Sequence, residues 1–360
     1  MKKYLFYALS IVIGVGVGIT MAVTTHQSNQ LNEPAIKPLV VEHVWRMGQV
    51  QLGIDLLYYG SATVPLNQVR YEATEAVNYI VDQHANSVGI SFPFYTSGPK
   101  ANSVYAGQGT PSPAQITQVV EVAKKAKLRV TLRPLLDESD LRPKDWRGSI
   151  GPTNTNEWFA NYSRFLKPYL KVAQTTGAST FIVGAELSSI ESQRQWVGLL
   201  RSARLFFHRQ LGYSQNYDSF HSDKATPPVD VLGVDYYAPM PLGDNASVAQ
   251  LVRAMNNWWE SVPRRIHIHQ VVIDEVGLAA QNGAYKVPYS TNLQTPTNLN
   301  VQARWFTAIC DVAKTQRLSG LYFWNVPFGG NLSVGSGEAV SIIGRPSSEA
   351  IRNCFEKFSS

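Results

Sequence analysis

The stretch Thr180-Phe-Ile-Val-Gly-Ala-Glu-Leu187 is a short, apolar run that stops abruptly at a carboxylate. Ile268-His-Gln-Val-Val-Ile-Asp-Glu-Val-Gly277 repeats the pattern around Glu275. Apolar runs of this length, rich in Val and Ile, predict strands buried on both faces. A carboxylate at the C-terminal tip of such a strand lies at the mouth of a parallel barrel, where enzymes of that architecture keep their chemistry.

Outward from these two runs the chain alternates strand and helix signals. Strands are predicted at 50–57, 87–92, 128–135, 180–185, 212–216, 229–236, 268–273 and 320–324. Helices are predicted at 66–84, 113–126, 154–176, 191–209, 247–261, 296–315 and 346–358. The helix at 154–176 is the clearest. Asn154 is placed to cap it, Glu157 follows three residues later, and Trp158, Tyr162, Phe165, Tyr169 and Val172 recur on one face. The fifth strand is polar, and 221–228 reads as loop rather than helix. Eight strands alternating with helices, except after the poorly defined fifth, predict an α/β fold, a closed (β/α)8 TIM barrel. The long connections, 95–112, 137–153, 238–246, 279–295 and 328–344, all follow strands. One face is therefore decorated, as an enzyme of this architecture requires.

The chain has 360 residues, 44% apolar and 16% charged, which is ordinary globular composition. Aromatic residues reach 11%, enough to fill a core and to supply flat platforms for sugar rings. The formal charge is +6, with the basic residues scattered. Arg201, Arg204 and Arg209 fall on one predicted helix and read as a solvated outer face. No nucleic-acid-binding motif accompanies the charge, so no nucleic-acid partner is expected.

Three segments are predicted. Residues 1–25 form a signal anchor or signal peptide: Lys2 and Lys3 precede the uncharged run 4–23, long enough to span a bilayer. Lysines ahead of the run place the barrel outside the cytoplasm, anchored in the membrane, or secreted or periplasmic if the segment is cleaved. Residues 26–45, with Pro34 and Pro38, read as a linker. Residues 46–360 form a single catalytic domain. Cys310 and Cys354 fall on the last two predicted helices, neighbours in a closed barrel. An exported domain is compatible with a disulfide between them or with two buried thiols.

Cleaving a glycosidic bond needs one carboxylic acid to protonate the leaving oxygen and a second carboxylate to attack carbon or activate water. Glu186 and Glu275, at strand ends four and seven, meet that need, and no cofactor is implied. Asp274 adjoins Glu275; side chains alternate along a strand, so only one of the two is expected to face the mouth, and that is Glu275, with Asp274 paired to a structural partner. His267 and His269 make an H-x-H pair without a third ligand, so no metal is expected. No nucleophile elbow supports serine hydrolase chemistry.

The segments Leu132-Arg-Pro-Leu-Leu136, Ile182-Val-Gly-Ala-Glu-Leu187, Leu232-Gly-Val-Asp-Tyr-Tyr-Ala-Pro239, Ile273-Asp-Glu-Val-Gly277 and Leu321-Tyr-Phe-Trp-Asn325 resemble, in order and spacing, clan A of the glycoside hydrolases. Within it the resemblance is to family 113, whose characterised members are β-mannanases. It covers the barrel from about Gln51 to Asn325. The resemblance implies a retaining hydrolase acting on a mannan-like polysaccharide or an exopolysaccharide. It makes Glu186 the acid/base and Glu275 the nucleophile. Tyr236 or Tyr237 would hydrogen-bond the nucleophile, Trp324 would floor the sugar subsite, and Arg133 would bind substrate or tune a carboxylate. The chain departs from the pattern at Ala185, where many members carry Asn, and at Leu135, where related mannanases carry His. These departures open an alternative: a non-catalytic glycan-binding protein on the same fold, assisting envelope or exopolysaccharide processes.

Overall fold

The computed structural model describes residues 36–359 apart from 223–224, 331 and 333–337. The segment read as a signal or anchor, and most of the linker, lie outside the described residues. Among the described residues no helix is long and apolar enough to cross a membrane.

Eight parallel strands close into a barrel, with β1 (Gln51–Leu57) hydrogen-bonded to both β2 (Ser87–Phe94) and β8 (Gly320–Pro327). Between them run β3 (Arg129–Leu136), β4 (Thr180–Ala185), β5 (Gln210–Asn216), β6 (Val231–Asp235) and β7 (Val272–Val276) in sequence order. The helices are α1 (Leu66–Asp82), α2 (Pro113–Lys125), α3 (Thr155–Thr176), α4 (Gln195–Arg204), α5 (Val248–Glu260), α6 (Leu299–Thr315) and α7 (Pro346–Ser359). Among the described residues the β5–β6 crossover carries only a 3-10 turn, Ser219–His221. The polar sequence there has no apolar stripe to lay on the sheet.

The elements form for local reasons. Asn154 caps α3 by accepting the Glu157 N–H, and Gly177 ends the helix in the left-handed conformation that glycine adopts freely. The aromatic face of α3 then packs on β2: Tyr169 meets Phe92 and Tyr162 meets Phe94, ring centres 4.7 and 4.8 Å apart. Buried rings of this size each contribute roughly 1.5–3 kcal/mol.

The strands read from sequence as apolar on both faces, but much of their inner face is polar, beside a small apolar cluster of Val231, Val272 and Tyr322. Asp55, Ser91, Arg133, Ser214, Asp235 and Asp274 are all buried. Gly89 and Gly233 make room for two of the acids. A β-carbon at Gly89 would fall 2.0 Å from Asp55 Oδ1, and one at Gly233 would fall 1.8 Å from Asp274 Oδ2. The apolar core is therefore the shell between strands and helices, and the barrel interior is a charged layer beneath the mouth.

The predicted seventh strand began too early. Ile268–Gln270 is a 3-10 turn after Pro263, and the strand runs Val272–Val276, so Asp274 and Glu275 lie inside it. His267 and His269 sit on that turn, exposed at the end of the barrel opposite the mouth.

Cys310 on α6 and Cys354 on α7 form a disulfide, Cα–Cα 5.7 Å, across 44 residues. Closing a loop of that length stabilises by about 4 kcal/mol in the chain-entropy account. Replacing both cysteines by serine is expected to lower the unfolding free energy by a few kcal/mol. Guanidinium melts of the oxidised protein and the double variant measure it; superimposable curves would show that the bond adds nothing.

Residues 36–360 form one compact unit holding every strand, the core and the disulfide, all that an independently folding domain needs.

Candidate active site

A cavity of about 460 Å³ opens at the C-terminal ends of the strands. It is lined by Glu186, Glu275, Tyr237 and Trp324 together with Glu138, Arg142 and Arg147 of the β3–α3 loop. Tyr217 and Tyr289 add aromatic surface at its rim. A second hollow of about 510 Å³ lies outside the barrel between α6 and α7, beside the disulfide. It holds one acid, Glu356, and no facing carboxylate.

Glu275 reaches the cavity through an irregularity. The β7 pairing slips against β6 between Val234 and Asp235, and against β8 between Ile273 and Val276. Simple alternation would send Glu275 outward if Asp274 faces in. The slip leaves both carboxylates inside the barrel, but only Glu275 faces the mouth, as expected, while Asp274 has a structural partner. Asp274 lies deeper, accepting a 2.5 Å hydrogen bond from Ser214 Oγ, and burial pushes it up to about 6. Glu275 lines the cavity. Arg133 donates to its Oε2 at 2.6 Å, and the Tyr237 hydroxyl donates to its Oε1 at 2.5 Å. Burial and the adjacent Glu275 hold the Tyr237 phenol protonated well above its ordinary pKa, so it remains a donor.

Arg133 is wholly buried and does not line the cavity. Its other nitrogen donates to Asp235 Oδ2 at 2.5 Å. It bridges two acids beneath the floor instead of reaching for substrate. Replacing Arg133 with Met would strand both carboxylates without their cation. A loss of about 3–5 kcal/mol of stability is expected, measured by urea unfolding. A midpoint unchanged from wild type would mean the acids find another partner.

Tyr236, expected as a second tyrosine at the mouth, is elsewhere. Its backbone N–H donates to the Glu275 carbonyl, 2.7 Å, but its ring is buried among Trp258, Trp259 and Trp305 in the outer shell. Consecutive residues on a strand face opposite ways, so once Tyr237 faces in, Tyr236 faces out. Trp324 does line the cavity, with the Arg133 guanidinium 6.0 Å from its ring centre.

Glu186 ends β4 with a φ of 56°, in the left-handed region that non-glycine residues rarely occupy. Its N–H donates to the Ser214 carbonyl at 2.8 Å, and the next N–H, of Leu187, donates to the Tyr213 hydroxyl at 3.1 Å. Those bonds fix the turn. Burial pushes the Glu186 carboxyl up to about 7, opposed by Arg147 and helped by Glu275. Arg147 Nη1 lies 3.7 Å from Glu186 Oε2 and is itself held by Glu138 through Nε at 3.1 Å. Two carboxylates in one cavity thus have unlike surroundings. One is gripped by two donors; the other is a partly desolvated acid with a cation nearby.

Sequence reasoning missed Asp55, Asp235, Glu138 and Arg147. Asp55 and Asp235 did carry a signal, since each is a lone acid inside an apolar strand. Glu138 and Arg147 belong to a loop whose course no periodicity fixes. Ala185 and Leu135, the two departures, are both buried.

Comparison with known proteins places this geometry. The model of Glycoside Hydrolase Family 113 matches residues 59–329. A family 113 β-1,4-mannanase superposes with a TM-score of 0.73 at 18% identity, covering 86% of this chain and 99% of that one. The β-mannanase of Alicyclobacillus acidocaldarius, in complex with ManMIm, gives 0.70 at 20% identity, covering 86% and 98%. A β-glucuronidase from Ruminococcus gnavus gives 0.53 at 10% identity, covering 85% of this chain and 50% of that one. At these identities the likeness speaks to the fold. No curated protein matches the sequence.

Proposed function

The chain belongs to glycoside hydrolase family 113 and is a glycosidase, and on that footing we propose that it cleaves a mannan-like polysaccharide with retention at the anomeric carbon. The observation that carries the reading is the pairing of Glu186 and Glu275 in one cavity with unlike surroundings. Family membership disfavours the non-catalytic alternative.

In the proposed first step Glu275 attacks the anomeric carbon. Glu186, protonated near neutral pH, gives its proton to the departing glycosidic oxygen. A glycosyl ester on Glu275 results. In the second step water attacks that ester, Glu186 takes the water's proton, and Glu275 departs as carboxylate. Tyr237 and Arg133 hold Glu275 in place throughout, and Trp324 gives the sugar ring an apolar face to lie on. Retention requires the two carboxyl groups about 5–5.5 Å apart, whereas inversion needs roughly 6.5–9.5 Å to admit a water.

The family neighbours described above are named β-mannanases, so β-1,4-linked mannooligosaccharides are the first substrates to test. Proton NMR of the nascent product reads the stereochemistry. The β-anomer is expected to appear first and then mutarotate. Initial appearance of the α-anomer would mean inversion and remove Glu275 as nucleophile. Failure on every β-mannoside, with hydrolysis of another β-glycan, would leave the chemistry standing and replace the sugar. We also place the enzyme outside the cytoplasm. The Cys310–Cys354 bond suits an oxidising compartment, and the run 4–23 after Lys2 and Lys3 suits export.

A further inference from the structure

Loops that follow helices in this fold lie at the N-terminal ends of the strands, opposite the cavity. The basic residues that look scattered in sequence collect there. Lys124 and Lys125 end α2 and Lys127 follows it; Arg209, Arg317 and Arg46 precede β5, β8 and β1. All six are exposed. Partial burial, and then the neighbouring charges of Arg209 and Arg129, hold the Lys124 ammonium below its ordinary pKa. Of the acids of this face, Asp230 pairs with Arg204 and Asp82 with Arg352, while Glu42 and Glu356 share the His84 ring. Glu260 stands exposed.

The same face carries exposed aliphatic side chains. The segment 36–50 is fastened across it: the Leu39 N–H donates to Asn78 at 2.6 Å, the Val41 N–H donates to the Ala126 carbonyl at 3.0 Å, and Trp45 lies 5.0 Å over the Arg129 guanidinium. Val41 is buried, but Leu39, Val40 and Val44 stay exposed, and Met47 is 93% exposed. Leu205, at the end of α4, is 71% exposed. Nearer the cavity face the exposed large hydrophobics are the polar-tipped Tyr59, Tyr105 and Tyr289 and, at the starts of α1, α4 and α6, Leu66, Val197 and Leu299.

We propose that this face docks on an anionic lipid surface, with cations on the headgroups, aliphatic side chains in the interfacial layer, and the cavity directed away from the membrane. A second copy of the chain is a poor occupant, because like charges would meet. A soluble polyanion would satisfy the cations and leave the aliphatic side chains in water. A lipid interface satisfies both.

The test uses residues 36–360, which omit the apolar run 4–23 that would enter any bilayer by itself. The protein is sedimented with vesicles of phosphatidylcholine alone or mixed with phosphatidylglycerol. Binding is expected only with the anionic lipid. Each basic residue near such a surface is worth about five-fold, so Lys124→Gln, Lys125→Gln, Lys127→Gln and Arg209→Gln together should weaken it by several hundred-fold. Met47→Ser with Leu205→Ser should weaken it too, and circular dichroism confirms that each variant is folded. Should the quadruple variant fail to fold, salt titration of the wild type decides. Raising salt from 0.1 to 1 M shortens screening from about 10 to about 3 Å and should release the protein. Equal binding to both vesicles, salt-insensitive binding, or capture by dextran sulfate without vesicle binding would each overturn the proposal.

Discussion

Glu275→Gln is expected to abolish turnover, by on the order of 10⁴-fold or more, while leaving the fold and oligosaccharide binding in place. The amide is isosteric, so the cavity keeps its shape. The Arg133 nitrogen that donates to Oε2 still finds an oxygen, and Arg133 keeps its other carboxylate, Asp235. The negative charge goes, and with it the ability to form an ester with the anomeric carbon; the amide nitrogen then faces Tyr237, whose hydroxyl turns from donor to acceptor. This is a different perturbation from removing Arg133, which leaves two buried acids uncompensated. Turnover, calorimetric binding of a mannooligosaccharide and thermal unfolding measured on the same preparation separate the possibilities. Wild-type turnover would sink the nucleophile assignment. Lost binding with a collapsed melt would make Glu275 a structural member of the charged layer.

Much of this site was legible because period and termination are sequence properties. β4 runs Thr180–Ala185 as its apolar run predicts, and Glu186 follows it. Trp324 and Tyr237 were legible for the same reason, since each lies at the C-terminal end of a strand. What failed was what depends on neighbouring strands. That Asp274 and Glu275 both turn inward, one deep and one at the mouth, goes with slips in β6–β7 and β7–β8 pairing. A slip of one residue reverses the face of every side chain beyond it, and a single strand does not record it. The start of β7 was misjudged for a related reason: Ile266, Ile268 and Val271 continue the apolar run, but the chain is still turning after Pro263.

The charged layer explains why the substrate site is built on the barrel rather than only on its loops. Arg133 reaches from β3 to acids on β6 and β7, Asp235 and Glu275, tying three strands together beneath the cavity. Asp55 on β1 faces the same layer, with neither oxygen hydrogen-bonded, and burial raises its pKa well above the ordinary value against the pull of Arg133. The loop residues act one step further out, with Glu138 holding Arg147 against Glu186.

That outer contact shapes the second large effect, on Glu186. Glu186→Gln is expected to slow hydrolysis of unactivated oligosaccharides by about 10²–10⁴-fold, the usual worth of a general acid. Aryl glycosides whose phenol leaves without a proton should form the glycosyl ester at near wild-type rate. The pH profile carries the sharper signature. Glu186 is pushed up to about 7, so its acid form is present below that pH and lost as pH rises through it. Wild-type activity should therefore fall on the alkaline side near neutrality, and the variant should lack that limb. Arg147→Ala removes the cation that opposes the rise, so the limb should move to higher pH while the fold stays intact. An Arg147 that merely braced the loop would lower activity at every pH and leave the limb where it was. An alkaline limb that survives unchanged in Glu186→Gln belongs to another group, and the acid/base would then have to be sought elsewhere in the cavity.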